Sequence, residues 1–563
     1  MTEVRVFHLA IEGMTCDGCA RHVAEALQQV PGVQQVHVPG WQAGRAEVHA
    51  RPEVDAQALV RAVAQAGYQA RILSFEPSFP GETPPRPRPH REAAASADAS
   101  FDLIVVGGGS AGFAAAIRAA DEGARVLLVN QGPIGGTCVN IGCVPSKFLL
   151  RAMAHYRRAG EARYAGVHTA PAALHWHRLI ADKDALVAAL RRSKYEEVLA
   201  AYPTVTYRQG RARLQSGPAV VVDGVTYRAP KVVLATGARP WAPPIPGLAE
   251  AGYLTSTRAL ALRALPRTLV VLGANAVGLE MAQVFARAGV AVTLVERLPR
   301  VAPFEDEAVS AELARHLAAE GVRILTAAHT ERVERAGPGY RLGIRIGDTV
   351  QTLEAEQLLV ATGRRPNTQG LGLDALGIAT DARGAIVVDE HGRTSHPHVY
   401  AAGDCAALPQ FVYVAAHSGT VAAENALLGT GRRLDLAWLP RVIFTDPQVA
   451  AAGLTEAQAR EAGLTAASRT LSLEHVPQAL AARDTRGFVK LVAEAGSGRL
   501  LGAHIVAPEA GEVIQTAVLA MRAGLSVHDL GRMLFPYLTL SEGLKLAAQT
   551  FTRDVRQLSC CAG

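Results

Sequence analysis

No stretch of about eighteen apolar residues runs uninterrupted by charge in this 563-residue chain, so no segment reads as a membrane span. The opening Met1-Thr2-Glu3-Val4-Arg5 is too polar for a secretory leader. An excess of one charge is also missing. Lys and Arg number 57 against 51 Asp and Glu, and the net +6 is small for the length. Aromatics make up only 5% and are not interleaved with a basic stripe, which argues against a nucleic-acid surface. Cysteine is sparse, yet six of the seven fall in close pairs: Cys16 and Cys19, Cys138 and Cys143, Cys560 and Cys561. That pattern does not suit a secreted disulfide scaffold. In a cytoplasmic protein, the location expected here, close pairs bind metal or do redox work. What remains is ordinary globular composition, 49% hydrophobic and 19% charged, with length for three or four domains.

The densest concentration of chemistry is Gly135-Gly136-Thr137-Cys138-Val139-Asn140-Ile141-Gly142-Cys143-Val144-Pro145-Ser146-Lys147. The glycines let the backbone bend or approach a ligand closely. Pro145 suits the first turn of a helix running on through Lys147. Unpaired amides at such a helix start favour a thiolate, and a thiolate beside a thiol can cycle between dithiol and disulfide. Taken alone, the pair equally suits half a structural zinc site or two small buried apolar residues.

Residues 1–75 read as a separate unit of order βαββαβ, with a helix from Ala20 to Val30 and a second from Asp55, as N-cap, to Ala66. That order predicts a small ferredoxin-like sandwich. Between its first strand and helix stands Gly13-Met14-Thr15-Cys16-Asp17-Gly18-Cys19, a GMTCxxC string that resembles heavy-metal-associated domains. Two soft thiolates on one loop can hold a soft ion with two ligands; a thioredoxin-like pair or half a zinc site are the alternatives. Residues 76–100, rich in Pro, Ala and Ser, read as a semi-rigid tether.

Two glycine turns follow. Gly107, Gly109 and Gly112 lie between the apolar strand ending at Val106 and a helix from Phe113 to Glu122, the setting in which amides hold a pyrophosphate. The next strand ends in Asn130 where an acidic residue is usual, leaving an uncharged partner for a ribose hydroxyl. Gly273 and Gly278 open a second such unit, with Asn275 in place of the middle glycine. Its second strand ends in Glu296, a carboxylate suited to the 2′-hydroxyl of NADH, while Arg297 or Arg300 could instead take the 2′-phosphate of NADPH.

The string GGTCVNIGCVPSK resembles the redox site of the flavin-dependent pyridine nucleotide-disulfide oxidoreductases. Thr394 to Asp404 resembles their second flavin fingerprint, and the Ala-Thr-Gly turns at 235–237 and 361–363 fit their two-dinucleotide architecture. The resemblance implies FAD held at Gly107, Gly109, Gly112, Asn130, Gly136, Thr137, Lys147 and Asp404. It implies a nicotinamide coenzyme at Gly273, Gly278 and Glu296, and an ion pair of Lys147 with Glu280 beside the flavin. Cys143 would lie nearer the ring, with Cys138 as the exchanging thiol. Cys405 reads as a small buried residue.

The expected fold is α/β: two Rossmann-like domains and an α+β dimerisation domain behind the ferredoxin-like unit. The expected divisions are FAD-binding 101–245, NAD(P)-binding 246–366, central 367–435 and dimerisation 436–563. Organic-disulfide reductases carry His-Pro-Thr-x-x-Glu near their end. Here Phe535-Pro536-Tyr537-Leu538-Thr539-Leu540-Ser541-Glu542 puts Tyr537 where that histidine belongs. A phenol of pKa about 10 is a poor base at neutral pH, which argues against glutathione or lipoamide. Adjacent Cα atoms lie about 3.8 Å apart, short of the roughly 4.4 Å a disulfide usually needs, so Cys560 and Cys561 suit a dithiol clamp. With the GMTCxxC leader, these features resemble the mercuric reductase branch of the family. That branch implies a homodimer reducing Hg(II) to Hg(0), metal ligands Cys16, Cys19, Cys138, Cys143, Cys560 and Cys561, and Tyr195 and Tyr537 at the metal. An organic-disulfide reductase and a thiol-rich metal buffer are the rival readings.

Overall fold

A computed structural model describes residues 5–41, 44–51, 53–77, 101–170, 172–215 and 219–558. The chain divides into two units, Met1–Ala93 and Ala94–Gly563. Among the described residues no helix is long and apolar enough to cross a membrane.

In the first unit four antiparallel strands lie in the order Val33–His37, Arg45–Ala50, Arg5–Glu12, Gln69–Pro77. Alternation along Arg5–Glu12 sends Phe7, Leu9 and Ile11 to one face, where Val23 and Leu27 of Asp17–Gln28 and Leu59 and Val63 of Ala56–Gln65 bury them. The βαββαβ sandwich is present as expected. Asp55 caps the second helix, accepting from the Gln57 amide at 3.1 Å. The first helix begins at Asp17 rather than Ala20, with extended Cys16 as its N-cap, so Cys19 lies in its first turn. Periodicity located only the apolar part of that helix. Glu76 and Pro77 finish the last strand rather than open the tether, and the rest of that tether lies outside the described residues.

The second unit contains two parallel sheets built alike. In the first, strands Val399–Ala401, Lys231–Leu234, Leu103–Val106, Val126–Asn130 and Val205–Gln209 lie side by side. The run Leu103–Val106 and residues 232–234 are apolar and buried because both faces are covered. Helices Ser110–Asp121 and Val412–Leu428 pack together on one face through alanines, so closely that a Cβ on Gly419 would lie 2.1 Å from the Ala111 carbonyl oxygen. The antiparallel sheet of Ala212–Gln215, Ala219–Val222 and Val225–Arg228 covers the other.

The second parallel sheet runs Arg323–Leu325, Ala291–Val295, Thr268–Leu272, Gln357–Val360, and it too carries a three-stranded antiparallel sheet, residues 328–355. Neither antiparallel sheet was read from the sequence. Ala238–Pro240 pairs with Arg364–Pro366 where the chain passes between the two halves. The last part is a five-stranded antiparallel sheet, Arg441–Ile443, Gln448–Gly453, Leu500–Ala507, Phe488–Glu494, Ala466–Ser472, backed by Ala510–Arg522 and Glu542–Gln549.

Candidate active site

Both glycine turns sit at the carboxyl ends of parallel strands, where open α/β sheets bind ligands. At the first, a Cβ on Gly112 would lie 1.7 Å from the Gly107 carbonyl oxygen, so the helix meets the strand end only as bare backbone. Gly109 caps that helix, and Asn130 closes the turn by accepting from the Gly108 amide at 3.0 Å. The second turn repeats the device: Glu296 accepts from the Ala274 amide and from the Leu298 amide, each at 2.8 Å. The two residues expected to face a ribose therefore spend oxygens on the turns themselves. Arg300 is bound to the carbonyls of Pro303 and Glu305 and pairs with Glu307 at 3.2 Å, whereas Arg297 is exposed.

The thiol segment is pinned directly to the first turn. The Gly135 amide donates to the Gly108 carbonyl at 2.8 Å, and a Cβ on Gly136, whose φ is +59°, would lie 2.6 Å from the Gly109 Cα. Gly136–Ile141 forms a short helix carrying Cys138, an element not read from the sequence. After a break at Gly142, Cys143 opens the helix Cys143–Ala159. The Cys138 thiol donates to Cys143; this bond first, and the Lys147 ammonium one turn on, bring Cys143 down to about 7 against the opposing cost of burial. Cys138 moves the other way: the hydrogen bond it donates to Cys143 holds its proton first, and burial and the neighbouring anion add to this. The dyad thus holds its negative charge on Cys143 and its proton on Cys138.

Lys147 pairs with Glu280 on helix Ala276–Arg287, at 2.8 and 3.0 Å to the two carboxylate oxygens, so the sequence-predicted ion pair is formed. Glu280 also accepts from the Phe444 amide at 3.0 Å, and the Lys147 ammonium stands 4.5 Å from the Phe444 ring centroid. Tyr195 lies in a single π-turn, Arg192–Glu196, that interrupts a helical run, a feature common at functional sites. Its ring meets Phe113 edge-on at 4.8 Å, and a Cβ on Gly135 would come within 3.2 Å of it. Burial, with the two thiols as further causes, raises its pKa.

The expected flavin fits these groups. The turn at Gly107 to Gly112 is a cradle that side chains would fill, with amides and a helix start for a pyrophosphate. Asp404 is three-quarters buried, and burial raises its pKa, the Arg364 guanidinium 4.0 Å away opposing this. No protein donor bonds its carboxylate among the described residues, leaving both oxygens for a chain of hydroxyls. Cys405 beside it is fully buried and donates to the Leu234 and Ala402 carbonyls, as its reading as an inert small residue requires.

Arg364, Phe444 and Phe113 belong to this neighbourhood and escaped the sequence reading. Arg364 directly follows the second Ala-Thr-Gly turn, a signal that could have found it; nothing local marks Phe444. Tyr537 lies apart from these groups in the sequence, 56% exposed, on a turn whose next residue, Leu538, has φ +61°. Cys560 and Cys561 lie outside the described residues.

In the first unit the Cys16 and Cys19 sulfurs are 3.3 Å apart. Bonds from the Thr15 backbone, the Tyr68 hydroxyl and Cys16 lower the Cys19 thiol to about 6. Among the described residues no His, Cys, Asp or Glu completes a set of three with them.

Comparison with known proteins agrees with this construction. The description "Pyridine nucleotide-disulphide oxidoreductase" matches residues 101–419, its dimerisation domain 439–548, and the heavy-metal-associated domain 8–69. Mercuric reductases of Acidithiobacillus ferrooxidans and Shigella flexneri are each 46% identical, covering 100% and 99% of this chain and 100% of their own. That of Streptomyces lividans is 48% identical over 473 residues, covering 83% of this chain and 99% of its own. Among solved structures, the Cu(II) complex of an HOCl-induced flavoprotein disulfide reductase from Escherichia coli superposes with a TM-score of 0.73 at 31% identity, covering 80% of this chain and 99% of that one. The chain belongs to the pyridine nucleotide-disulphide oxidoreductase family, in its mercuric reductase branch.

Proposed function

We infer that this chain reduces Hg(II) to Hg(0) at the expense of NAD(P)H, as a homodimer in the cytoplasm. The observation that carries the reading is identity along the whole chain, leader and tail included, with mercuric reductases. When bound, FAD replenished by the nicotinamide supplies the two electrons the metal needs.

The chain's own residues do the rest. The first glycine turn would hold the flavin's pyrophosphate and Asp404 its hydroxyl chain, with the paired Lys147 and Glu280 available to the bound flavin. Cys138, the exchanging thiol, attacks a Hg(II) dithiolate as its proton passes to the departing carrier thiol. The Cys143 thiolate then displaces the second carrier, so the ion stays two-coordinate. Each exchange trades one Hg–S bond for another, so softness keeps the ion on sulfur throughout and two thiols held side by side favour the enzyme-bound end. As the metal leaves reduced, Cys138 takes a proton back and Cys143 is left as the thiolate, which restores the starting dyad. Tyr195, desolvated against Phe113, closes the site from one side, and Tyr537 of the partner subunit closes it from the other. Delivery runs from Cys16 and Cys19 to Cys560 and Cys561 of the partner subunit, then to Cys138 and Cys143. An organic disulfide is disfavoured because Tyr537 replaces the histidine that would protonate a departing thiol.

Coenzyme oxidation measured with Hg(II) in excess thiol, with oxidised glutathione, and with no acceptor tests the assignment. Turnover with the metal alone is expected, falling when Cys560 and Cys561 are both changed to Ala. Turnover only with the disulfide would reject the assignment, and metal binding without coenzyme oxidation would make the chain a buffer.

A further inference from the structure

Helix Ala276–Arg287 presents Glu280, Gln283 and Arg287 on one face, at spacings of three and four residues. All three grip one short segment of the dimerisation portion. The Phe444 amide donates to Glu280 at 3.0 Å. Gln283, fully buried, accepts from the Asp446 amide at 2.8 Å and donates to its carbonyl at 2.9 Å. Arg287 donates to the Asp446 carbonyl at 2.9 Å and to its carboxylate at 3.0 Å. The other carboxylate oxygen of Asp446 takes Arg486 at 2.9 Å. Arg287 also binds Glu320 in bidentate fashion at 2.7 and 2.8 Å, and Arg157 of the thiol helix reaches Glu320 at 3.3 Å.

The segment therefore touches both members of the central ion pair, through a backbone N–H on Glu280 and an aromatic face under Lys147. Buried bonds fix its far end at Asp446. A surface charge pair would gain little from such support. Here Glu280 is 4% exposed, so where its carboxylate points is decided by these partners rather than by water.

We propose that Phe444 and Asp446 are positioning residues of the redox centre, a clamp by which the dimerisation portion fixes the Lys147–Glu280 pair against the flavin. The proposal rests on the reading of that pair as flanking the flavin ring, and the experiment separates the two. The full-length, flavin-loaded enzyme is compared with Phe444→Leu, Phe444→Tyr, Asp446→Asn and Glu280→Gln. Midpoint potential and visible spectrum of the flavin are read alongside kcat and KM for Hg(II)-dependent turnover.

Phe444→Leu keeps the amide but removes the ring. It is expected to shift the flavin's potential and lower kcat about tenfold at unchanged KM, the pattern of a lost transition-state interaction, with Phe444→Tyr restoring both. Asp446→Asn is expected to move the same readings in the same direction. If Glu280→Gln moves them while Phe444→Leu does not, the clamp is refuted and the flanking pair stands. If Glu280→Gln also leaves them unmoved, the flanking pair itself is refuted. Should Asp446→Asn fail to retain flavin, Phe444→Leu alone decides.

Discussion

The division of labour between Cys143 and Cys138 makes reactivity sensitive to pH in a defined direction. Below about 7 the Cys143 thiolate is protonated and its attack slows; above it the rate levels off. Alkylation of the reduced enzyme by iodoacetamide should therefore rise through pH about 7. Cys138→Ala, which removes the donated hydrogen bond, should move the midpoint up toward the ordinary thiol value of about 8.5. Cys19 behaves alike at a lower pH: uptake of metal by the first unit should persist down to about 6 and fall below it as the thiolate is protonated. Coenzyme choice belongs to this scale too. Both oxygens of Glu296 are bonded to amides and Arg300 is committed to its own loop, which leaves Arg297 for a 2′-phosphate. Arg297→Ser should raise KM for NADPH about tenfold, in line with loss of one charged hydrogen bond, and leave that for NADH unchanged.

Among the elements, those with a local signal were legible and those held by distant partners were not. Leu103–Val106 and Thr268–Leu272 announce themselves as apolar runs ending in glycine, and Asp55 marks its helix by a cap. The helix Gly136–Ile141 escaped notice because it is held by packing, with Gly136 on Gly109 and the Asn140 amide on the carbonyls of Ile134 and Gly136 at 2.9 Å. The site reads the same way. Cys138, Cys143 and Lys147 share one motif, whereas Phe444 arrives from some three hundred residues away in sequence and no pattern near it points to Lys147. Helix pairing offers a test at this scale. Gly419→Val must push Ser110–Asp121 off Val412–Leu428, since a Cβ there already lies 2.1 Å from the Ala111 carbonyl oxygen. Overpacking of this kind costs about 1–3 kcal/mol, to be seen as a lowered midpoint in urea with weakened flavin retention.

For the whole molecule, the two nucleotide turns, Cys138, Cys143, Lys147 and Glu280 all lie in the second unit, Ala94–Gly563. Removal of residues 1–93 should leave kcat for Hg(II) supplied with excess small thiol unchanged, and slow turnover only when the metal is limiting; a lost kcat would show the first unit to be part of the machinery. The two nucleotide turns carry a last consequence. A Cβ on Gly278 would lie 1.8 Å from the Gly273 carbonyl oxygen, the same insult that Gly112→Ala inflicts on the first turn. The molecule thus holds its own internal control. Gly112→Ala should yield a colourless product, whereas Gly278→Ala should stay yellow, bleach with dithionite and ignore the coenzyme. The same injury, written twice in one chain, separates holding the pigment from feeding it.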